Sequence, residues 1–135
     1  MLVIDDCYNA NPMSMRAALD DLAASSPGRR VAVLGDMLEL GPDEARFHAE
    51  IGAHASARGV DVLVTVGPRA AGMAAGYETG GGDDDREHRA TADAAAAAAL
   101  VEEIVEPGDT VLVKGSRGVG LEVVAQRLRA SAGIS

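Results

Sequence analysis

The sequence predicts an α/β domain of three layers, a Rossmann-like arrangement in which a mostly parallel sheet of about five or six strands lies between helices. Three observations carry this expectation. Short runs of β-branched and aliphatic residues alternate with longer helical stretches along the whole chain. Those runs are apolar throughout rather than every second residue, which is the pattern of strands covered on both faces. The apolar residues are also of one kind: 47% of the chain is hydrophobic but only 2% is aromatic, so Val, Leu, Ile, Met and Ala must build the core. Alanine in such numbers lets helices lie close against a sheet.

In chain order, LVI at 2–4 is the first strand. A helix is expected from residue 12 to about 25, because Pro12 suits an early helical position where its missing N–H leaves nothing unsatisfied. VAVLG at 31–35 is the second strand, followed by a helix over about 42–58 that Gly59 ends. VDVLVTVG at 60–67 is the third strand, and a shorter helical segment begins at about 68. ETGGGDDDRE at 78–87, with its glycines and like charges, reads as a flexible loop. HRA at 88–90 is a short strand, and Thr91 is placed to cap a helix that runs through the alanine tract to about 105. PGDTVLVKGS at 107–116 is a turn and a strand, and a last helix spans about 120–130. No internal repeat is visible, and 135 residues suit one domain rather than two.

Charge and cysteine content narrow the function. A net charge of −9 argues against general nucleic-acid binding, which needs Lys/Arg patches to release phosphate counterions. The single cysteine, Cys7, excludes an internal disulfide and any multi-cysteine zinc site, and fits a reducing compartment. No apolar run approaches the roughly 20 residues that span a bilayer, and MLVIDD does not read as a signal peptide.

Ligands of open parallel sheets sit beyond the carboxyl ends of the strands. Three polar corners fall there, at 5–12, 35–41 and 114–120. In DDCYNANP, Asp5 or Asp6 can accept hydrogen bonds from ribose hydroxyls, Asn9 and Asn11 suit a purine edge, and Tyr8 can stack on a base. The alternative for Asn11-Pro12 is a plain helix entry with Asn11 as its cap. In LGDMLELG, Asp36 stands just past a strand, either at a site or in a loop that salt-bridges or caps the next helix. In VKGSRGVGLE, Lys114, Ser116 and Arg117 lie among glycines between strand and helix, a setting for a phosphate or a carboxylate. It is no P-loop, because Lys114 precedes the glycines, and the chain has no G-x-G-x-x-G after its first strand. His48 and His54, six apart on one expected helix, point to different faces and make no metal set with His88; His48 is expected to support the loop at Asp36. Cys7 lacks a base that would make it a nucleophile.

Taken together and in order, DDCYNANP, LGDMLELG, His48 and LVKGSRGVGLE resemble the C-terminal domain of the Mur ligase family, over essentially the whole chain. YNANP and KGSR resemble the branch that adds D-alanyl-D-alanine. The resemblance implies a bacterial cytoplasmic enzyme of three domains that uses ATP and Mg²⁺ to phosphorylate UDP-MurNAc-tripeptide and joins the acyl phosphate to D-alanyl-D-alanine, in peptidoglycan synthesis. It implies a nucleotide-binding role for Asp6, Tyr8, Asn9 and Asn11, and an interdomain supporting role for Asp36 and His48. Lys114, Ser116 and Arg117 would hold the dipeptide carboxylate. No catalytic or metal-binding residue is expected in this chain, whose partners would be the enzyme's own central and N-terminal domains. With no P-loop, the chain is expected to be a domain excised from the longer enzyme and inactive alone. A stand-alone nucleotide- or dipeptide-binding module, or the same domain of a related acyl-phosphate amide ligase, are the alternatives.

Overall fold

The computed structural model describes residues 1–7, 10–80 and 86–131, with the side chain of Arg117 left aside. Among these residues five strands form one sheet: β1 (Leu2–Asp6), β2 (Arg30–Gly35), β3 (Val62–Val66), β4 (Glu87–Thr91) and β5 (Thr110–Lys114). Every pairing is parallel and the order is β1-β5-β2-β3-β4, so the last strand is inserted between the first two. The expected fold class is therefore the observed one, with five strands. The helices are α1 (Pro12–Ser25), α2 (Glu44–Ala57), α3 (Met73–Thr79), α4 (Ala94–Ile104) and α5 (Glu122–Ser131).

Strand alternation divides the core into two layers. Ala32 and Leu34 of β2 pack with Met15, Leu19 and Leu22 of α1, Ile51 of α2 and Met73 of α3. Val31 and Val33 pack on the other side with Ala97 and Val101 of α4 and Val124 and Leu128 of α5. Successive side chains of a strand point to opposite faces, so α1, α2 and α3 cover one face and α4 and α5 the other. This follows from right-handed crossovers: the chain moves from β1 toward β4 with helices on one side, then returns to β5 with its helix on the other. Small residues set the spacing. A Cβ on Gly52 of α2 or Gly76 of α3 would run into the backbone of the facing helix, at Met73 and Ala49 respectively.

Helix starts show which local readings were sufficient. Asn11 caps α1: its Oδ1 accepts from the Ser14 N–H at 2.9 Å, and Ser14 Oγ accepts from the Asn11 N–H at 3.1 Å. For α4 the cap is Asp93, accepting from the Ala96 N–H at 2.8 Å, rather than Thr91. Thr91 instead closes β4 and donates its hydroxyl to the Thr65 carbonyl at 2.8 Å. The middle of the expected loop, residues 81–85, lies outside the described residues.

The strand order fixes where a ligand can enter. β1 and β2 are followed by helices on one face, while β5 between them is followed by a helix on the other, so crevices open on both sides of the β5 carboxyl end.

Candidate functional site

The three polar corners do meet at this edge. In the β1–β5 register Asp6 stands opposite Lys114, and Lys114 Nζ donates to Asp6 Oδ2 at 2.7 Å. The pair is lopsided: the lysine side chain is 2% exposed and the carboxylate 44%. An ammonium taken out of water needs its counter-ion, so Lys114 depends on Asp6. The acid faces outward, and among the described residues only Oδ2 is engaged. Asp5, one residue earlier, turns to the opposite face toward Arg129 at 3.6 Å.

Beyond β5 the chain passes Gly115 and Ser116, makes a 3-10 turn over Arg117–Val119, and reverses at Gly120, whose φ of 72° is left-handed, before α5. A Cβ on Gly115 would lie 2.7 Å from Leu121 Cδ1, and one on Gly35 would lie 3.2 Å from it. The ends of β5 and β2 thus meet under Leu121 with no side chain between them. Ser116 Oγ is buried with no hydrogen-bond partner among the described residues. A buried hydroxyl in that state is costly unless another molecule completes it.

Past β2, Asp36 is buried and its Oδ1 accepts from the Ala70 N–H at 2.6 Å, with Arg69 at 3.6 Å from Oδ2. The acid therefore ties β2 to the turn after β3, and does not cap the helix that follows it. Gly67, at φ 109°, is required here, since a Cβ would lie 2.5 Å from Asp36 Oδ1. His48, wholly buried, locks the same loop as expected: the Met37 N–H donates to Nε2 at 3.0 Å, and Nδ1–H donates to the Glu44 carbonyl at 2.8 Å. Glu39, at φ 61°, completes a loop held in a strained form. The sequence reading missed Arg69, which reaches both Asp36 and Glu44, the latter at 2.6 Å. Its only signal is the VGPRA turn directly after β3.

At the first corner Asn11 is already employed as the α1 cap, leaving its amide N–H groups for any ligand. Tyr8 and Asn9 lie outside the described residues. The Cys7 thiol donates to the Val113 carbonyl at 3.7 Å, and burial, followed by the neighbouring Asp5 carboxylate, pushes it far above its ordinary value. In that setting the thiol is held in its neutral form. Of the other histidines, His54 meets Asp20 at 2.8 Å and His88 meets Thr65 at 2.9 Å, on different elements. Three exposed apolar side chains, Met13, Leu38 and Val123, stand at the starts of α1 and α5 and in the loop after β2, all at the edge that carries the crevice.

The family model described as "Mur ligase, glutamate ligase domain" matches residues 1–117. The chain belongs to the Mur ligase family. Its match to the UDP-N-acetylmuramoyl-tripeptide–D-alanyl-D-alanine ligase of Escherichia coli is 35% identical over 128 residues, taking in 95% of this chain and 27% of that protein. A MurF crystal structure from Acinetobacter baumannii superposes with a TM-score of 0.81 at 31% identity, covering 95% of this chain and 28% of that one. The MurF ligase from Thermotoga maritima in complex with ADP gives 0.76 at 27% identity, over 97% and 28%. The chain thus spans about a quarter of the length of these Mur ligases and corresponds to their C-terminal domain.

Proposed function

We propose that this chain is the closing domain of an ATP-dependent ligase that adds D-alanyl-D-alanine to UDP-MurNAc-tripeptide in bacterial peptidoglycan synthesis. The observation that carries the reading is the crevice around the end of β5. An outward-facing acid, Asp6, stands on one strand, and the next is followed by a glycine-lined loop whose Ser116 hydroxyl is buried with no partner among the described residues. The chemical division of labour follows from the groups present. Asp6, accepting through its free oxygen, suits vicinal hydroxyls of a ribose. Asn11 has amide donors left for the nucleotide, and Tyr8 and Asn9 join that side by their place in DDCYNANP. The loop from Gly115 to Gly120 offers backbone N–H groups and the Ser116 hydroxyl to an anion, and Arg117 supplies a guanidinium that can pair with the dipeptide carboxylate through two parallel bonds.

Asp36 and His48 are buried behind this edge, so their part is to hold the β2 loop in one form against the neighbouring domain. The apolar rim of Met13, Leu38 and Val123 suits the same contact. No catalytic group is assigned to this chain. Ligands for the Mg²⁺ that accompanies ATP are assigned to the rest of the enzyme and to the phosphates. A site divided between domains is complete only on closure, which keeps water from an acyl phosphate. The reading also places the enzyme in the bacterial cytoplasm, where ATP and the precursor are found.

The test is an assay of the full-length protein with UDP-MurNAc-tripeptide, ATP and Mg²⁺. Phosphate release should require D-alanyl-D-alanine and should accompany formation of the pentapeptide precursor. Release with a different amine in its place, and none with the dipeptide, would assign the domain to another amide ligase.

A further inference from the structure

We infer that Lys114 is the positioning residue of Asp6, acting on the nucleotide side of the crevice rather than as a ligand of the dipeptide. The inference rests on the proposed function for the identity of the two ligands, and on three observations of this chain. Lys114 is 2% exposed, so its ammonium is not presented to the crevice where a carboxylate would bind. It lies directly across the ladder from Asp6 and reaches it at 2.7 Å. The alternation of β5 puts Lys114 on the same face as Leu112, which packs in the layer beneath α1. The lysine stem is therefore held by the sheet, and only its tip meets the acid.

The consequence is mechanical and electrostatic at once. A carboxylate at the last position of an edge strand has two free torsions and would sample several orientations. With Oδ2 fixed on a buried cation, the plane of the carboxylate is set and Oδ1 is left to accept from a ligand. The cation also stands as a counter-charge to the acid when a nucleotide covers it and solvent is lost. Lys114 thus touches no ligand and acts through Asp6. Gly115 and Ser116 follow it directly, so the pair also anchors the root of the loop proposed to take the dipeptide.

The experiment is a double-mutant cycle on nucleotide recognition in the full-length protein, using Lys114→Met, Asp6→Asn and the two combined, with ATP and D-alanyl-D-alanine KM values and kcat measured for each. Loss of an oriented, charged acceptor should raise the ATP KM roughly ten- to hundredfold in Asp6→Asn. Lys114→Met should raise it in the same range, change the D-alanyl-D-alanine KM far less, and add nothing further in the Asp6→Asn background. Lys114→Arg, which keeps a cation beside the acid, should recover part of the loss. Thermal midpoints measured in parallel, with Arg29→Met as a destabilised variant at the opposite edge of the sheet, separate recognition from folding. Arg29→Met should lower the midpoint and leave the ATP KM unchanged.

Two results would overturn the inference: effects of Lys114→Met and Asp6→Asn on the ATP KM that multiply in the double variant, or a D-alanyl-D-alanine KM that rises with Lys114→Met while that of ATP stays constant. If Asp6→Asn leaves the ATP KM unchanged, the nucleotide role of Asp6 fails, and the positioning role of Lys114 with it. An inert protein with wild-type sequence in the pentapeptide assay is a different failure, that of the proposed ligase activity.

Discussion

Two ion pairs stand at opposite ends of the same sheet, and they are near mirror images. At the amino ends of the strands Asp109 is the buried member, its side chain 3% exposed, and Arg29 the half-open one at 30%. At the carboxyl ends the lysine is buried and the acid is open. The carboxylate of the lower pair is fully engaged: Asp109 accepts from Arg29 Nε at 3.1 Å, from Arg29 Nη2 at 2.8 Å and from the Glu106 N–H at 2.8 Å, while Nη2 also donates to the Ile104 carbonyl at 2.6 Å. It stitches the start of β2 to the turn before β5 and leaves neither oxygen of Asp109 without a partner. Among the described residues the upper pair is a single contact that leaves one carboxylate oxygen free, and the buried Ser116 hydroxyl that follows Lys114 has no partner. Burying one charge of a pair fixes its partner; the two pairs differ in whether the carboxylate keeps an oxygen for a ligand.

The comparison breaks first on stability. Arg29→Met leaves the Asp109 carboxylate buried without its cation, and should cost about 3–5 kcal/mol, read from urea denaturation. Asp6→Asn leaves the buried Lys114 ammonium without its counter-charge but with an amide oxygen still able to accept from it, and should cost less, about 1–3 kcal/mol. Activity should invert that order, with Asp6→Asn impairing nucleotide use and Arg29→Met leaving kcat/KM per folded molecule intact. Equal effects of the two on activity would mean that the carboxyl edge is only a second brace.

Asn11 sharpens the comparison, because it serves structure and is proposed to serve the ligand. Asn11→Ala should cost about 1 kcal/mol through the lost α1 cap. Asn11→Asp keeps a capping oxygen but removes the amide N–H donors, so its stability should stay near wild type while the ATP KM rises. An unchanged KM in Asn11→Asp would leave Asn11 as a cap alone.

The smallest expected effect is in acid. The hydrogen bond from His54, then the nearby positive charge of Arg58, hold Asp20 below the ordinary carboxylate range, joining α1 to α2. A carboxyl with a lowered folded value stabilises above its unfolded pKa, and that contribution is lost as pH falls through the folded value. Asp20→Asn should flatten the acid limb of the stability profile slightly and leave stability near neutrality little changed, because the pair is solvent-exposed.

Much of this was legible from local pattern. Pro12 and Asn11 announced α1 at its observed limits, and continuous apolar runs announced the strands, because both signals act within a few residues. The three corners also gathered on one edge as the parallel sheet requires. What was not legible depends on pairing across the chain. Lys114 read as a crevice cation because nothing local says that β5 inserts beside β1, which sets it on Asp6 across 108 residues. Asp36 read either as a site residue or as part of a loop that salt-bridges or caps the next helix, with nothing local to say that its hydrogen-bond partner is Ala70, 34 residues on. The Arg29–Asp109 brace, 80 residues apart, left no trace at all. Thr91 read as the cap of α4, whereas β4 runs on through Thr91 and Asp93 takes that place.

The most direct test of a ligand-facing carboxyl edge and a purely structural amino edge is hydrogen–deuterium exchange of the full-length protein, with and without ATP and D-alanyl-D-alanine. Slowed exchange should appear at residues 5–7 with ATP and at 115–120 with the dipeptide, with no change around Arg29 and Asp109. Protection around Arg29 and Asp109, with residues 5–7 and 115–120 unaffected, would contradict the account.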